Sequence, residues 1–446
     1  MRLITTNSIQ TKCGMMHRPI VYLSFDRFPS AKGAATHINA FATALGKAFG
    51  NVSLITIPSE EHSRSQRCPS GVTESTQAIE NFETVPQTSQ WSSQGVSHYP
   101  LPALGENLFE RVLSYRVQIR HWWNQELPPK GGTLPIVHFR SIFEGYPLAR
   151  NKQNLCNKIV YEVNGLPSIE LKYHYPDVAY DQELERKLLF QEQTCLDAAD
   201  LVLTVSQVNA EHLARRGVPE SRIQIIPNGV DLETFGYQAP LLADQSLNQL
   251  PEVPEAKHEL KMLYAGTMSA WQGVGIAIEA LRLYRRDLPA SLTVVGHSRP
   301  RQKKSLQNFA YDQGVGAHVR FLDPVEKREL ADLHHNADVI LAPLSNNDRN
   351  LVQGCCPLKV LEAMASGTPL VASDLPVVRE LAQDDVDAIL VRPGSAKSLK
   401  DGLLKLNTET GLATRLSATA RQRVVKEFGW QKAQQTLIES YETLLG

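Results

Sequence analysis

Short apolar runs rich in Val, Ile and Leu recur along this chain, separated by longer segments in which apolar residues return with a helical period. Runs of this kind belong to strands buried on both faces, and the amphipathic stretches between them to helices that cover a parallel sheet. In the first half the pattern predicts strands at 20–25, 52–57, 135–139, 158–163, 201–206 and 223–227. Helices are predicted over Ala35–Phe49, Leu108–Trp123, Asp181–Ala198 and Gln207–Arg215. A second series of strands starts at 261–266 and continues at 291–296, 318–322, 338–344, 369–373 and 388–393. The class is α/β, and two such series read as two doubly wound, Rossmann-like domains.

Two stretches break this rhythm. Residues 59–98 are rich in Ser, Gln, Thr and Glu and poor in apolar side chains, which reads as a flexible insertion. Residues 237–257, polar and containing proline, read as a linker. The division that follows is an N-terminal domain over 19–236, a C-terminal domain over 258–427 and a closing helical tail over 428–446. Residues 1–18 precede the first strand and read as a loose extension or the product of an upstream start codon, with Met15 or Met16 as the alternative start.

Composition narrows the classes. A length of 446 residues exceeds what one core organises, and 42% hydrophobic with 21% charged residues is that of an ordered globular protein. A net charge of −1 supplies no overall basic field, which argues against nucleic acid as the main partner. Cys13, Cys68, Cys156, Cys195, Cys355 and Cys356 lack the spacing of a zinc site, so a reduced, cytoplasmic chain without a bound metal is expected. No apolar stretch reaches the roughly 18 residues of a membrane span, leaving at most a peripheral contact with the inner membrane face. Arg116, Arg120, Trp122 and Trp123 share one helix that could make such a contact, but its mixed faces fit a packed helix better.

In doubly wound sheets ligands sit beyond the carboxyl ends of the strands, so with two facing domains the expected site is the cleft between them. The most informative segment is 354–373, GCCPLKVLEAMASGTPLVAS, which reads as loop, short helix, glycine stop and buried strand. Pro357 suits the first turn of that helix and Gly367 its C-cap. Free amides at the helix start, together with Leu358 and Lys359, make a site for a diphosphate. Glu362, a little over one turn further on, can accept two hydroxyl hydrogen bonds from a ribose.

This block resembles the donor-site signature of family 4 glycosyltransferases, retaining enzymes of the GT-B fold. The resemblance extends over ADLVLTVS (199–206), IPNGVD (226–231), YAGTMSAWQGV (264–274) and VVG (294–296). It implies transfer of a sugar from a nucleoside-diphosphate sugar to an acceptor hydroxyl, in polysaccharide, glycolipid or other glycoconjugate synthesis, with no divalent metal and no cofactor beyond the donor itself. The implied donor residues are Gly266, Thr267, Gln272, Gly296, Arg299, Gly354, Pro357, Leu358, Lys359 and Glu362. Glu362, Lys359 and His138 are implied to take part in catalysis. On the acceptor side the resemblance points to Gly33, Ala34 and His37 in the turn after the first strand, to Arg140, and to Glu162 and Asn164 at a strand terminus.

The chain departs from the family pattern at three of these positions. The family often carries a first glutamate where Gly354 stands, and an arginine and a lysine where Thr267 and Gln272 stand, so Lys359 or Arg299 is expected to supply the charge that holds the diphosphate. Two other readings remain open at the level of sequence. One is a sugar-nucleotide epimerase on the same fold, and the other a degenerate scaffold that binds a sugar nucleotide without turnover.

Overall fold

A computed structural model describes residues 18–30, 32–59, 91–127, 133–242 and 258–446. Seven strands form the first sheet: β1 (Ile20–Arg27), β2 (Val52–Ile57), β3 (Val96–Pro100), β4 (Ile136–Phe139), β5 (Lys158–Val163), β6 (Leu201–Thr204) and β7 (Ile223–Ile225). Their order is 3-2-1-4-5-6-7. Six strands form the second: β8 (Leu260–Ala265), β9 (Ala290–Val295), β10 (Val319–Leu322), β11 (Val339–Ala342), β12 (Leu370–Ser373) and β13 (Ile389–Val391), in the order 10-9-8-11-12-13. Every pairing is parallel. The strand order therefore reverses beside β1 in one sheet and beside β8 in the other, and crevices open at those switch points.

Burial on both faces explains the unbroken apolar runs. In β1, Val21 and Leu23 enter one core with Tyr115, Trp122 and Phe139, while Ile20 and Tyr22 enter the other with Ile38, Phe41 and Leu45. In β8, Leu263 and Ala265 face one side, and Leu260, Met262 and Tyr264 the other. Each fully buried aliphatic side chain contributes roughly 1.5–3 kcal/mol, so a one-residue slip in either strand would forfeit several such terms at once.

Strand β3 differs from the expectation of a polar insertion over 59–98, since it starts at Val96 and pairs with β2 from Val52 to Thr56. It is an edge strand with a mixed sequence, and its polar His98 is buried against Thr56 Oγ1 at 2.7 Å, a tertiary contact with no local signature. Residues 60–90 of that stretch lie outside the described residues, as do residues 1–17 of the extension and 243–257 of the linker. The first linker residues lie on the C-terminal domain, where the Gln238 amide donates to Ser366 O at 2.9 Å.

The tail helix Trp430–Leu445 packs on helix Gly33–Phe49 of the N-terminal domain, with Gln434 Nε2 donating to Ala40 O at 2.9 Å. The chain passes it closely at Gly229, where a Cβ would come within 2.6 Å of Trp430 Cα. Among the described residues no helix is long and apolar enough to cross a membrane.

Candidate active site

The carboxyl ends of β1, β4 and β5 bring together a buried polar cluster centred on Glu162, itself 1% exposed. Tyr22 Oη donates to Glu162 Oε2 at 2.8 Å, and Arg140 Nε to Oε1 at 2.8 Å. His138 Nε2 lies 3.1 Å from Oε2, and Asn164 Nδ2 also donates to Oε1. His37 Nε2 approaches Oε1 to 3.1 Å as an ionic contact outside hydrogen-bond geometry. Burial alone would push this carboxyl up, but His37, Arg140 and the hydrogen bond from His138 hold it well below the usual carboxylate range. Arg140 also reaches Asp26 Oδ2 at 2.8 Å, and the Asp26 side chain is 44% exposed.

His138 is fully buried, with Tyr441 Oη 2.8 Å from Nδ1 and the Tyr22 ring stacked on it at 4.3 Å. Both ring nitrogens are engaged, and burial lowers its pKa. In this arrangement it orients Glu162 and presents no free atom to the cleft. His37 is buried as well and links Glu162 to the C-terminal half, through Nδ1 at 2.8 Å from Asn228 Oδ1 and Asn228 Nδ2 donating to Cys356 O at 2.8 Å.

Across the cleft, the donor block folds as helix Leu358–Ser366 between β11 and β12. Pro357 is its N-cap rather than a first-turn residue, and Gly367 ends it in the left-handed conformation at φ 86°. The amides of Leu358 and Lys359 have no acceptor among the described residues. Lys359, 6% exposed, donates from Nζ to Tyr264 Oη at 3.0 Å and to Gln272 Oε1 at 2.5 Å. Desolvation brings its pKa down to about 7, against the pull of Cys355 and Glu362. Glu362 is half-buried and makes no side-chain hydrogen bond among the described residues. Burial pushes its carboxyl up to about 7, with Lys327 and Lys359 opposing.

Two glycines let the β8 and β9 loops approach this lysine. A Cβ on Gly266 would lie 3.0 Å from Lys359 Nζ, and one on Gly296 would strike Gly266 O at 2.0 Å. Gly33 is exposed, yet a Cβ there would come within 2.8 Å of Leu358 Cδ1, so the turn after β1 touches the start of the donor helix. Ala34 is half-buried beside it. Thr267 offers its carbonyl to Tyr264 Oη at 2.5 Å, its side chain making no described contact. Arg299 lies further out, donating from Nη1 to His174 O at 2.6 Å across the cleft.

Gly354 stands where no larger residue fits. Its φ of 76° and a Cβ position 2.6 Å from Ser206 Oγ exclude a side chain without displacement of the N-terminal domain. Gly354→Ala is therefore expected to cost about 1–3 kcal/mol in a denaturant titration. Unchanged stability would mean that the two domains are not held in this contact in solution.

A cross-cleft set that sequence reasoning did not find surrounds Gly354. Glu170, on helix Pro167–His174, forms an ion pair with Arg349, whose Nε lies 2.7 Å from Oε1, and accepts a hydrogen bond from Gln353 Nε2 at 2.8 Å. Arg349 Nη1 donates to Gly354 O at 2.7 Å, and Lys172 and Tyr173 both contact Asp348. Arg349 appears in sequence as a lone cation in a polar loop, and nothing local marks its partner 179 positions away. A separate hollow lined by Lys152, Asp200 and Arg222 lies at the amino ends of β5 and β6, away from all these groups.

Residues 31–234 match the description Glycosyltransferase Family 4, and residues 247–423 match Glycosyl transferases group 1. The chain belongs to glycosyltransferase family 4. One relative, a D-inositol 3-phosphate glycosyltransferase of Xylanimonas cellulosilytica, is 30% identical over 251 residues, which is 56% of this chain and 58% of the relative. The chain thus matches little more than half the length of such curated relatives. Among solved structures, sucrose-phosphate synthase of Thermosynechococcus elongatus superposes with a TM-score of 0.70 at 19% identity, covering 96% of this chain and 99% of that one. Anabaena HepE in complex with UDP-glucose gives 0.66 at 14% identity, covering 96% and 100%. These neighbours establish the GT-B fold.

Within this family 4 chain, the structure brings Gly266, Gln272, Gly296, Pro357, Leu358, Lys359 and Glu362 around the start of one helix. It gathers His37, His138, Arg140, Glu162 and Asn164 at the facing strand ends. Tyr264, Tyr22, Asp26, Asn228 and Tyr441 complete the two clusters. Tyr441 has the periodicity of a core residue in an amphipathic helix, so its bond to His138 has no sequence signal.

Proposed function

We propose that this chain transfers a sugar from a nucleoside-diphosphate sugar to an acceptor hydroxyl with retention of anomeric configuration, without a metal or any cofactor beyond the donor. The observation that carries this reading is the half-buried, unpartnered Glu362 carboxylate one turn beyond the free amides of Leu358 and Lys359. A ribose on Glu362 would set its diphosphate on those amides, where the helix start and the Lys359 ammonium favour negative charge. That stabilisation grows as the diphosphate departs and charge develops on it, so it lowers the barrier rather than merely tightening binding.

The leaving phosphate would accept the acceptor proton on the same face of the sugar, which gives retention without a covalent intermediate. Among the described residues no group of three or more His, Cys, Asp or Glu side chains is arranged to hold a metal. The HepE structure is a complex with UDP-glucose, and the Xylanimonas relative is named for an inositol phosphate, so UDP-sugars and phosphorylated polyols are the first substrates to try. We place the protein in the cytoplasm. The exposed stripe of Phe109, Leu113 and Val117 is a surface for peripheral contact with the inner membrane face, and absence of co-sedimentation with anionic vesicles would remove that contact.

The test of the transfer reading is a reaction in EDTA with a donor panel, the anomeric proton of the product being followed by NMR. Retention at full rate in EDTA is expected. An inverted product, or a rate restored only by a divalent ion, would overturn the mechanism.

A further inference from the structure

The carboxyl end of β5 runs through Asn164, Gly165 and Leu166 into helix Pro167–His174, which carries Glu170 against the C-terminal domain. Among the described residues the polar contacts of this carboxylate fall on one oxygen. Oε1 accepts from Gln353 Nε2 at 2.8 Å and lies 2.7 Å from Arg349 Nε. Oε2 accepts no hydrogen bond among the described residues and is not buried, the side chain being 23% exposed. It is seated over Gly165, where a Cβ would come within 2.6 Å of it. Glu170 thus presents a carboxylate with one oxygen clamped and the other open.

The same clamp fixes its place beside the donor helix. Arg349 Nη1 donates to Gly354 O at 2.7 Å, Asn209 Nδ2 donates to Gln353 O at 2.6 Å, and the Leu166 amide donates to Gln353 Oε1 at 3.0 Å. Gly354 precedes the first helical residue, Leu358, by one short loop. With ribose on Glu362 and the diphosphate on the amides of Leu358 and Lys359, the sugar lies on the side of the diphosphate away from the ribose, towards that loop. A carboxylate there can accept hydrogen bonds from sugar hydroxyls, and Arg349 offsets the repulsion it would exert on the phosphates.

We propose that Glu170 is a specificity-determining residue for the donor sugar, its open Oε2 accepting hydroxyls of the sugar to be transferred. The residue comes from the N-terminal domain but is aimed by Gln353 and Arg349 of the C-terminal one, so sugar recognition is complete only while the domains are in contact. A site built to accept a hydroxyl discriminates against a sugar that lacks it. The inference rests on the transferase reading and adds to it the residue that reads the sugar.

The experiment compares, by calorimetry on the full chain, the affinity of UDP with that of UDP-glucose and of GDP with that of GDP-mannose. Three variants accompany the unaltered protein. In E170Q, Gln353 and Arg349 retain the side-chain oxygen and turn the amide nitrogen outwards, where it cannot accept. G165A keeps the carboxylate but displaces it, at a position without positive φ. D348N loosens the neighbouring cross-cleft contacts of Lys172 and Tyr173 and leaves Glu170 intact. E170Q and G165A are each expected to bind a sugar nucleotide about tenfold more weakly, the scale of a lost charge-assisted hydrogen bond, with its free nucleoside diphosphate bound as before. D348N should move both members of a pair by one factor. Equal weakening of diphosphate and sugar nucleotide in E170Q, or a sugar-selective loss as large in D348N, would make Glu170 a closure contact and overturn the proposal, as would unchanged affinities. An unaltered chain that binds neither UDP nor GDP would sink the transferase reading itself, and the sugar contact with it.

Discussion

Replacing Glu362 with alanine is expected to lower kcat/KM for the nucleotide sugar by about 100-fold, since two hydrogen bonds to a carboxylate are lost with no substitute nearby. Thermal stability should hold, because the carboxylate makes no bond within the protein that its removal would break. The pH profile follows from the same site. Glu362 titrates near 7 and accepts both hydroxyls only when ionised, so kcat/KM should rise with pH towards about 7. Lys359 also titrates near 7 in the unliganded protein, and losing its charge lowers diphosphate affinity on the alkaline side. The result is a bell centred near neutrality, whose acid limb disappears in Glu362→Ala. A mutant profile that keeps its acid limb would assign that limb to another group.

The second large effect is on folding. Glu162→Ala is expected to destabilise by about 3–5 kcal/mol in urea at neutral pH, because it leaves Arg140 buried with only Asp26, and Tyr22 and His138 without their acceptor. The folded-state pKa of Glu162 lies well below its unfolded value of 4.5. Its contribution is therefore complete above that value and is lost as pH falls through the folded pKa. Glu162→Gln should flatten the acid limb of stability against pH. A loss below about 1 kcal/mol in the alanine variant would show that the cluster is hydrated and loosely held, contrary to its burial.

The helices and strands were legible where one force dominates. Strands β1, β2, β5 and β8 are buried on both faces, so their apolar runs announce them, and the donor helix is bracketed by Pro357 and Gly367. Strand β3 was not legible, because an edge strand needs fewer apolar residues and its His98 is satisfied by a partner on β2. The candidate site divides in the same way. Lys359 and Glu362 lie on one short helix, so spacing alone brings them together. The Glu162 cluster draws on β1, β4, β5, the loop at Asn228 and the last helix. A histidine at a strand end gives no sign whether it faces the cleft or, like His138, the interior.

Helix Pro167–His174 and its partners Asp348, Arg349 and Gln353 were silent for a further reason. Their ion pairs span the two domains, and their energy appears only once the cleft is closed. Gly354 is informative here. Sequence comparison marks it as a missing glutamate, whereas the structure shows a position with positive φ and no room, beside which Glu170 already supplies a carboxylate from the other domain.

The most direct test of the account is calorimetric titration of a panel of nucleoside-diphosphate sugars into the protein and its Glu362→Ala variant, both in EDTA. One donor is expected to bind the unaltered protein without metal, and the variant to bind it about 100-fold more weakly. Equal affinity for both proteins, or no binding of any donor, would contradict the donor site at Lys359 and Glu362 and leave the fold without the transfer function proposed for it.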